Sequence, residues 1–241
     1  MNRILLLAAA LVAPPAAADE TLIRQVIESK LGGAKIEGVQ PTAVPGLYEV
    51  RFRGAEGAQI VYTNAQATHI IVGTMIDAKT DRNLTEERLR KLSAIDMDAL
   101  PYGIAVKVQR GTGKRTLVVF SDPYCPACKQ FEKVLAGIED ITIYYFMYPV
   151  IRPELADHSR AVWCAADRPK AWLDLALRGK PITAGANCDA PIEKVIELGG
   201  KLGVRSTPTL FLATGERLRG GPSATQLRVL LDEAASQKTK R

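Results

Sequence analysis

Apolar and polar residues are arranged in two different textures along the chain. From Asp19 to about Asp77 the pattern predicts one helix followed by short strands. Leu22, Val26, Ile27 and Leu31 recur at helical spacing and share one face. LYEVRFR (47–53), QIVYT (59–63) and THIIVG (68–73) read as strands, separated by Gly32-Gly33, Pro45-Gly46, Gly54 and Gly57. Along 48–52, Tyr48, Val50 and Phe52 alternate with Glu49 and Arg51, as in a half-buried strand. At roughly 60 residues such a unit buries a smaller share of its surface than a larger domain does. Pairing with a second copy would cover an exposed sheet face or edge.

A charged stretch follows, DAKTDRNLTEERLRKLSA (77–94). Leu84, Leu89 and Leu92 stand at helical spacing among Glu86, Glu87, Arg88, Arg90 and Lys91, which predicts a solvated helix with i,i+4 charge pairs that connects two domains.

From about Ala105 the texture changes. TLVVFS (116–121) and ITIYYFMY (141–148) are continuous apolar runs of strand length, the pattern of strands buried on both faces. Between them lies a helical segment with Phe131, Val134, Leu135 and Ile138 on one side. A helical region covers roughly 154–178, with Leu155, Val162, Leu173 and Leu177, and a further helix is predicted over 190–202, after Asp189 and Pro191. TLFLAT (209–214) and ERLRG (216–220) read as a hairpin around Gly215, and Ser223 is positioned to cap a last helix carrying Leu227, Leu230, Leu231 and Ala234. The predicted order is β-α-β-α-β-β-α.

The first 18 residues belong to neither texture. Arg3 gives a charged start, Ile4 to Val12 a short apolar core, and Ala16-Ala17-Ala18 small residues ahead of Asp19. This is the pattern of a secretory signal peptide cleaved before Asp19. Its apolar run is well short of the ~20 residues that span a bilayer. The chain as a whole is mildly basic, with 32 Lys+Arg against 26 Asp+Glu, but the excess is spread out and aromatics are only 6%. That dispersion argues against a nucleic-acid partner.

Export changes the meaning of the four cysteines, Cys125, Cys128, Cys164 and Cys188, because all lie in the mature chain and would meet an oxidising compartment. They allow three connectivities. Cys125 and Cys128, in SDPYCPACKQFEK (121–133), follow a predicted strand and open a helix. Unpaired backbone N–H groups and the positive end of the helix dipole favour a thiolate there, the form that attacks disulfides. Cys125 is the expected nucleophile, and Pro126 suits a first helical turn, which needs no donor. As a staple this four-residue loop would contribute only about 2 kcal/mol, whereas the loop from Cys164 to Cys188 would contribute roughly 3.5 kcal/mol. The second pair therefore suits a structural disulfide and the first suits redox work. A zinc site is not expected, since Cys164 and Cys188 stand far apart in sequence and His69 and His158 sit near no cysteine. Both histidines read as surface or packing residues. Pro208, in RSTPTLFL (205–212), stands at the start of a strand, where prolines mark an edge, a first position or a cis bond.

A strand, a CxxC at a helix start and a Thr-Pro before a later strand resemble the thioredoxin fold. The fuller set of FSDPYCPACKQFE, AVWCAADRPKAW, NCD and LGVRSTPTLFLATGE, behind a signal peptide, a small N-terminal domain and a connecting helix, resembles the DsbC/DsbG family of periplasmic thiol:disulfide interchange proteins. The resemblance spans the mature chain. It is strongest from Thr116 to about Glu233 and rests on length and texture in residues 19–100. It implies a signal peptide (1–18), a cystatin-like α+β N-terminal dimerisation domain (19–77), a linker helix (78–104) and a thioredoxin-like α/β catalytic domain (105–241). It also implies a V-shaped homodimer that acts as a disulfide isomerase and reductase on unfolded or misoxidised exported proteins in the periplasm; a cleft lined by apolar residues leaves a chaperone, with or without the enzyme activity, as the alternative. Pro208 would be a cis-proline facing Cys125 and Cys128, and Thr207 would present backbone groups to substrate and tune Cys125. Cys164 and Cys188 match the family's second, structural disulfide. A membrane thiol reductase of the DsbD type would keep the active-site pair reduced, and no cofactor is required. The Pro126-Ala127 dipeptide departs from the Gly-Tyr common in DsbC. A Pro after the first cysteine also occurs in DsbA-like oxidases and in DsbG, so the direction of electron flow stays open at this point.

Overall fold

The computed structural model describes residues 19–54, 57–180, 182, 188–218 and 221–238. The signal peptide expected over 1–18 lies outside the described residues. The chain divides into two compact units, Met1–Leu89 and Arg90–Arg241.

In the first unit Asp19 caps helix α1 (Glu20–Lys30), its carboxylate accepting the N–H groups of Thr21 and Leu22 at 3.0 and 3.2 Å. Ile23 and Ile27, one turn apart, are fully buried, while Leu22 is 39% exposed. The buried stripe thus runs through Ile23 rather than through Leu22, and both choices satisfy helical spacing with Ile27 closely enough that periodicity alone does not separate them. Strands β1 (Ile36–Pro41), β2 (Leu47–Gly54), β3 (Gly57–Asn64) and β4 (Ile70–Ile71) form an antiparallel sheet in that order. Val50 and Phe52 of β2 enter a core with Ile23, Ile27, Ile36 and Val61. Glu49 breaks the alternation: it is buried, with Arg88 at 3.2 Å and Arg51 at 3.6 Å from its carboxylate. Of THIIVG only Ile70–Ile71 pairs, and β1 was not expected because its sequence, IEGVQP, carries both a glycine and a proline. A two-stranded hairpin, β5 (Ile76–Asp77) and β6 (Arg82–Asn83), leads into α2 (Leu84–Leu92). The helix fills only part of the 78–104 segment expected as a connector, and the boundary between the units falls inside it.

The second unit is built on a mixed sheet. Strands β7 (Val106–Arg110), β8 (Arg115–Ser121), β9 (Ile141–Met147), β10 (Thr209–Leu212) and β11 (Arg217–Leu218) lie in the order β11-β10-β8-β9-β7, with β8 and β9 parallel and the other pairs antiparallel. Helix α3 (Pro126–Ala136) crosses from β8 to β9. The apolar run of β8 is explained by burial on both faces. Leu117 and Val119 join one cluster with Phe131 and Leu135 of α3, and Val118 and Phe120 join the other with Phe146 and Phe211. The predicted helical region over 154–178 is two helices, α4 (Ala156–Cys164) and α5 (Arg168–Ala176). Asp167 ends the continuity by capping α5, accepting the Lys170 N–H at 3.0 Å, with Pro169 in the first turn. α6 (Ile192–Lys201) follows and packs Val195 against Phe146 and Phe211. At the β10–β11 turn Gly215 has a positive φ of 83°, and a Cβ there would meet the Ile95 carbonyl oxygen at 2.0 Å, so the turn requires glycine. α7 (Ala224–Lys238) closes the unit, with Ser223 and Gln226 capping one another reciprocally.

Candidate active site

The carboxyl ends of parallel strands open onto helix starts, and the two free cysteines stand at such an end. β8 stops at Ser121, Asp122-Pro123-Tyr124 turn the chain, and Cys125 occupies the N-cap of α3 with Pro126 in the first turn. The turn is fixed by Asp122. Its backbone carbonyl accepts the Cys125 N–H at 3.1 Å, and its buried carboxylate accepts the N–H groups of Tyr124 at 2.7 Å and Ile151 at 2.8 Å. Cys125 makes no side-chain cap in its thiol form and is itself buried, 5% exposed.

The peptide bond between Thr207 and Pro208 is cis. The Thr207 carbonyl oxygen lies 3.3 Å from Cys125 Sγ, whose thiol donates to it. The Thr207 hydroxyl is buried with no hydrogen-bond partner among the described residues. Burial pushes the Cys125 thiol up, but it is outweighed by donors that favour the thiolate: the Thr207 side chain, the backbone N–H groups of Ala127 and Cys128, and the Cys128 thiol. The net direction for Cys125 is down. The carbonyl contact belongs to the protonated thiol, and the donors belong to the thiolate, so the two descriptions refer to different protonation states. Cys128 goes the other way. It is 2% exposed, and burial pushes its thiol up to about 12, against smaller opposing contributions from Ser121 and the Asp122 backbone. The two thiols are therefore set apart, with the thiolate favoured at Cys125 and the protonated thiol at Cys128.

Cys164, at the end of α4, is bonded to Cys188, ahead of α6, with Cα atoms 5.7 Å apart. This disulfide encloses no part of the active-site turn.

Three groups near the cysteines were not legible as site residues. Asp122 stands three residues before Cys125, and an aspartate that bonds the amide two residues on is an Asx-turn signal. Tyr124 is hydrogen-bonded to Nδ1 of His158, so the histidine expected to lie near no cysteine meets the chain neighbour of Cys125. His69 is the histidine that matches the expectation, bonded to Thr68 in the other unit. The third is Glu132, on α3 and 2% exposed, which accepts the Tyr145 hydroxyl at 2.9 Å. Burial pushes its carboxyl up to about 7, against Tyr145, Arg110 and Trp172. Among the described residues no group of three or more His, Cys, Asp or Glu side chains converges to hold a metal ion.

Comparison with known proteins agrees with this geometry. A family model for the disulfide bond isomerase protein N-terminal domain matches residues 13–86, and one for a thioredoxin-like domain matches residues 102–235. A Bordetella parapertussis protein, "Probable thiol:disulfide interchange protein DsbC", is 40% identical over 202 residues, covering 82% of this chain and 70% of its own. The thiol:disulfide interchange protein DsbC of Escherichia coli K12 is 29% identical over 225 residues, covering 90% and 89%. The crystal structure of a disulfide interchange protein from Neisseria gonorrhoeae superposes with a TM-score of 0.54 at 36% identity, over 56% of this chain and 99% of that one. With a DsbC N-terminal domain, a thioredoxin-like domain and a divided cysteine pair at a helix start, the chain belongs to the DsbC family of thiol:disulfide interchange proteins and is a thiol–disulfide oxidoreductase.

Proposed function

We propose that the protein is a periplasmic disulfide isomerase and reductase acting on misoxidised or unfolded exported proteins through Cys125 and Cys128. The observation that carries this reading is the opposite displacement of the two thiols, Cys125 down and Cys128 up to about 12. The Cys125 thiolate attacks a substrate disulfide, forming one mixed disulfide and releasing one substrate thiolate. A second substrate thiolate then displaces Cys125, which leaves the substrate with a rearranged disulfide and the protein unchanged. Alternatively Cys128 loses its proton and displaces the substrate. Two electrons then pass to the substrate, which leaves with both sulfurs reduced, and the protein holds a Cys125–Cys128 disulfide. A membrane thiol reductase of the DsbD type would return it to the dithiol. Thr207 and Pro208 form the substrate-facing wall, and the Cys164–Cys188 disulfide is structural.

Residues 1–18 would direct export and be removed. Residues 19–77 would form the dimerisation domain, 78–104 the connector and 105–241 the catalytic domain. A homodimer is supported by the family model over 13–86 and by the exposed Ile71 and Val72 at the β4 edge. Chaperone activity is supported by Val150 and Ile151, exposed on the loop that Asp122 ties to the active-site turn.

One observation favours a second reading, in which the pair donates its disulfide as an oxidase does, or serves oxidised single cysteines as DsbG-like proteins would. Pro126 follows the nucleophile and the Cys125 thiol is lowered, and stabilising the thiolate stabilises the reduced form and makes the disulfide more oxidising. Refolding of a scrambled disulfide protein decides between them. The isomerase reading expects reactivation by the reduced protein, loss of it in Cys125→Ala, and partial retention in Cys128→Ser. Reactivation surviving in Cys125→Ala would sink the nucleophile assignment. Activity confined to oxidising a reduced substrate would favour the oxidase.

A further inference from the structure

Strand β7 ends the sheet of the second unit and pairs with β9 alone. An edge strand leaves the N–H and C=O groups on its outer side without ladder partners, a template for another chain. Among the described residues no turn, loop or cap backbone group bonds Val106–Arg110 from outside the sheet. Beside that edge runs a groove of about 540 Å³, within the range of ligand clefts. One wall is residues 107–110, and the other is α5 with its flanks. Val108 and Leu173, which belong to the same core cluster, give the groove an apolar part.

The rest of the lining is cationic. Lys107, Arg110, Lys170 and Arg178 contribute to it, and Asp167, the acid among them, is engaged as the cap of α5. Asp174, outside the lining, pairs with Lys170 at 2.6 Å and with Arg178. Arg110 donates to the Leu135 carbonyl at 2.6 Å and also acts on the buried Glu132. Four cations thus stand against Asp167 and Asp174 around the groove, and Lys107 is exposed on the edge itself. A lysine on an edge strand ordinarily guards against pairing. Within a cationic groove the same guard repels basic chains and attracts acidic ones.

We propose that the outer edge of β7 is a docking strand for an acidic, extended segment of a substrate chain, which adds to the sheet by main-chain hydrogen bonds and sets its carboxylates among Lys107, Arg110, Lys170 and Arg178. That the occupant is a substrate rests on the isomerase and reductase reading; the groove and the free edge do not. The register favours a substrate. Val106 lies opposite Tyr145, towards the carboxyl end of β9, and β9 ends level with β8, Met147 opposite Ser121. Cys125 follows that end of β8. A strand added to β7 would lie three strand spacings from β8, roughly 14 Å. About five extended residues cover that distance, so a cysteine that far beyond the docked segment reaches Cys125.

The first test is binding, read by fluorescence anisotropy on the full protein at low salt. The probe is a labelled, cysteine-free peptide of alternating Thr and Glu, beside its counterpart with Lys in place of Glu. The acidic peptide should bind and the basic one should not. K107E/K170E should weaken binding by about 3- to 10-fold, the effect of two exposed charge pairs. K107E alone, which leaves the Lys170–Asp174 pair intact, should give part of that loss and serves if the double variant folds poorly. Two acidic peptides N-methylated at alternate residues, one in each phase, test the strand itself: one phase should lose binding and the other keep it. Equal binding of acidic and basic peptides, no binding of either, or the same outcome for both N-methylated phases would overturn the proposal. The second test extends the acidic peptide by about five residues to a cysteine in a mixed disulfide with glutathione, and follows its reduction by the reduced protein. K107E/K170E should raise the half-saturating peptide concentration by the same factor and leave the maximal rate unchanged. A half-saturation that does not move would show that the occupant is not a substrate and overturn the proposal. If the wild type reduces neither this peptide nor free oxidised glutathione, the reading of the cysteine pair has failed, and the anisotropy still decides the docking strand by itself.

Discussion

Cys125 and Thr207 stand 82 residues apart in sequence, yet the cysteine sulfur lies 3.3 Å from the threonine carbonyl oxygen. Thr207 precedes Pro208 across a cis peptide bond, and its buried hydroxyl, unpartnered among the described residues, favours the Cys125 thiolate. A thiolate at Cys125 is the acceptor that this hydroxyl lacks in the thiol form. Replacing Thr207 by Val keeps the shape and removes the donor. The Cys125 thiolate should then appear at higher pH than in the wild type, read by its ultraviolet absorbance during a pH titration. An unchanged midpoint would show that the backbone N–H groups of α3 hold the thiolate without help from Thr207.

Asp122 is a joint between two stretches of chain. Its carboxylate carries the amides of Tyr124 and Ile151, and Asp122→Ala would leave both bare. The cost is about 1–3 kcal/mol for each amide left unsatisfied. Urea unfolding should show the loss. The rate of disulfide exchange by the folded fraction should also fall, because the turn ahead of Cys125 loses its anchor. A variant destabilised to this degree but fully active would mean that the turn is held by α3 alone.

Glu132 makes the stability of the catalytic unit depend on pH in a direction unusual for a carboxylate. Its folded value, about 7, lies above its ordinary value of 4.5 because burial disfavours the charge. The folded state therefore holds the proton more tightly than the unfolded state does. The associated stability is fully present below about pH 4.5 and is lost as pH rises through about 7. The full swing is on the order of 3 kcal/mol. Urea midpoints of the wild type should fall across that window, and those of Glu132→Gln should stay flatter. Equal slopes in the two proteins would contradict the account of Glu132 as a buried acid that keeps its proton up to about pH 7 and is hydrogen-bonded by Tyr145.

The disulfide between Cys164 and Cys188 closes a loop with a sequence separation of 24. Replacing both cysteines by Ala should cost roughly 3.5 kcal/mol, by relaxing the unfolded chain. Urea unfolding of the double variant measures it. The reactivity of Cys125 should remain, since the loop encloses no part of the active-site turn.

How much of this was legible in the sequence depends on the range over which each feature is determined. The TLVVFS run, the CxxC at a helix start and the Ser223 cap are local patterns, and the structure has β8, α3 and α7 where those patterns lie. β1 and β7 escaped notice because IEGVQP and VKVQR are short and weakly apolar, and they exist through pairing with β2 and β9. The helical region over 154–178 hid a break at Asp167, a cap whose meaning depends on the chain having already turned. Within 78–104 the helix covers Leu84–Leu92, because Arg82–Asn83 pairs with Ile76–Asp77 ahead of it and Met97 and Leu100 beyond it are buried in the second unit's core without helical structure. Leu22 and Ile23 could not be ranked without knowing where β1 lies. Within the site, the cysteines and Thr207-Pro208 were readable as motifs. Asp122 and His158 were not, because their partners Ile151 and Tyr124 are 29 and 34 residues away.

The central claim is that Cys125 is the attacking sulfur and Cys128 the resolving one. It is tested most directly by trapping. Reduced Cys128→Ser protein, mixed with a scrambled disulfide substrate and quenched with acid, should accumulate a mixed disulfide. Mass spectrometry of its peptides should find the substrate on Cys125, and the Cys164–Cys188 bond intact. Absence of an adduct, or an adduct on Cys164 or Cys188, would contradict the account.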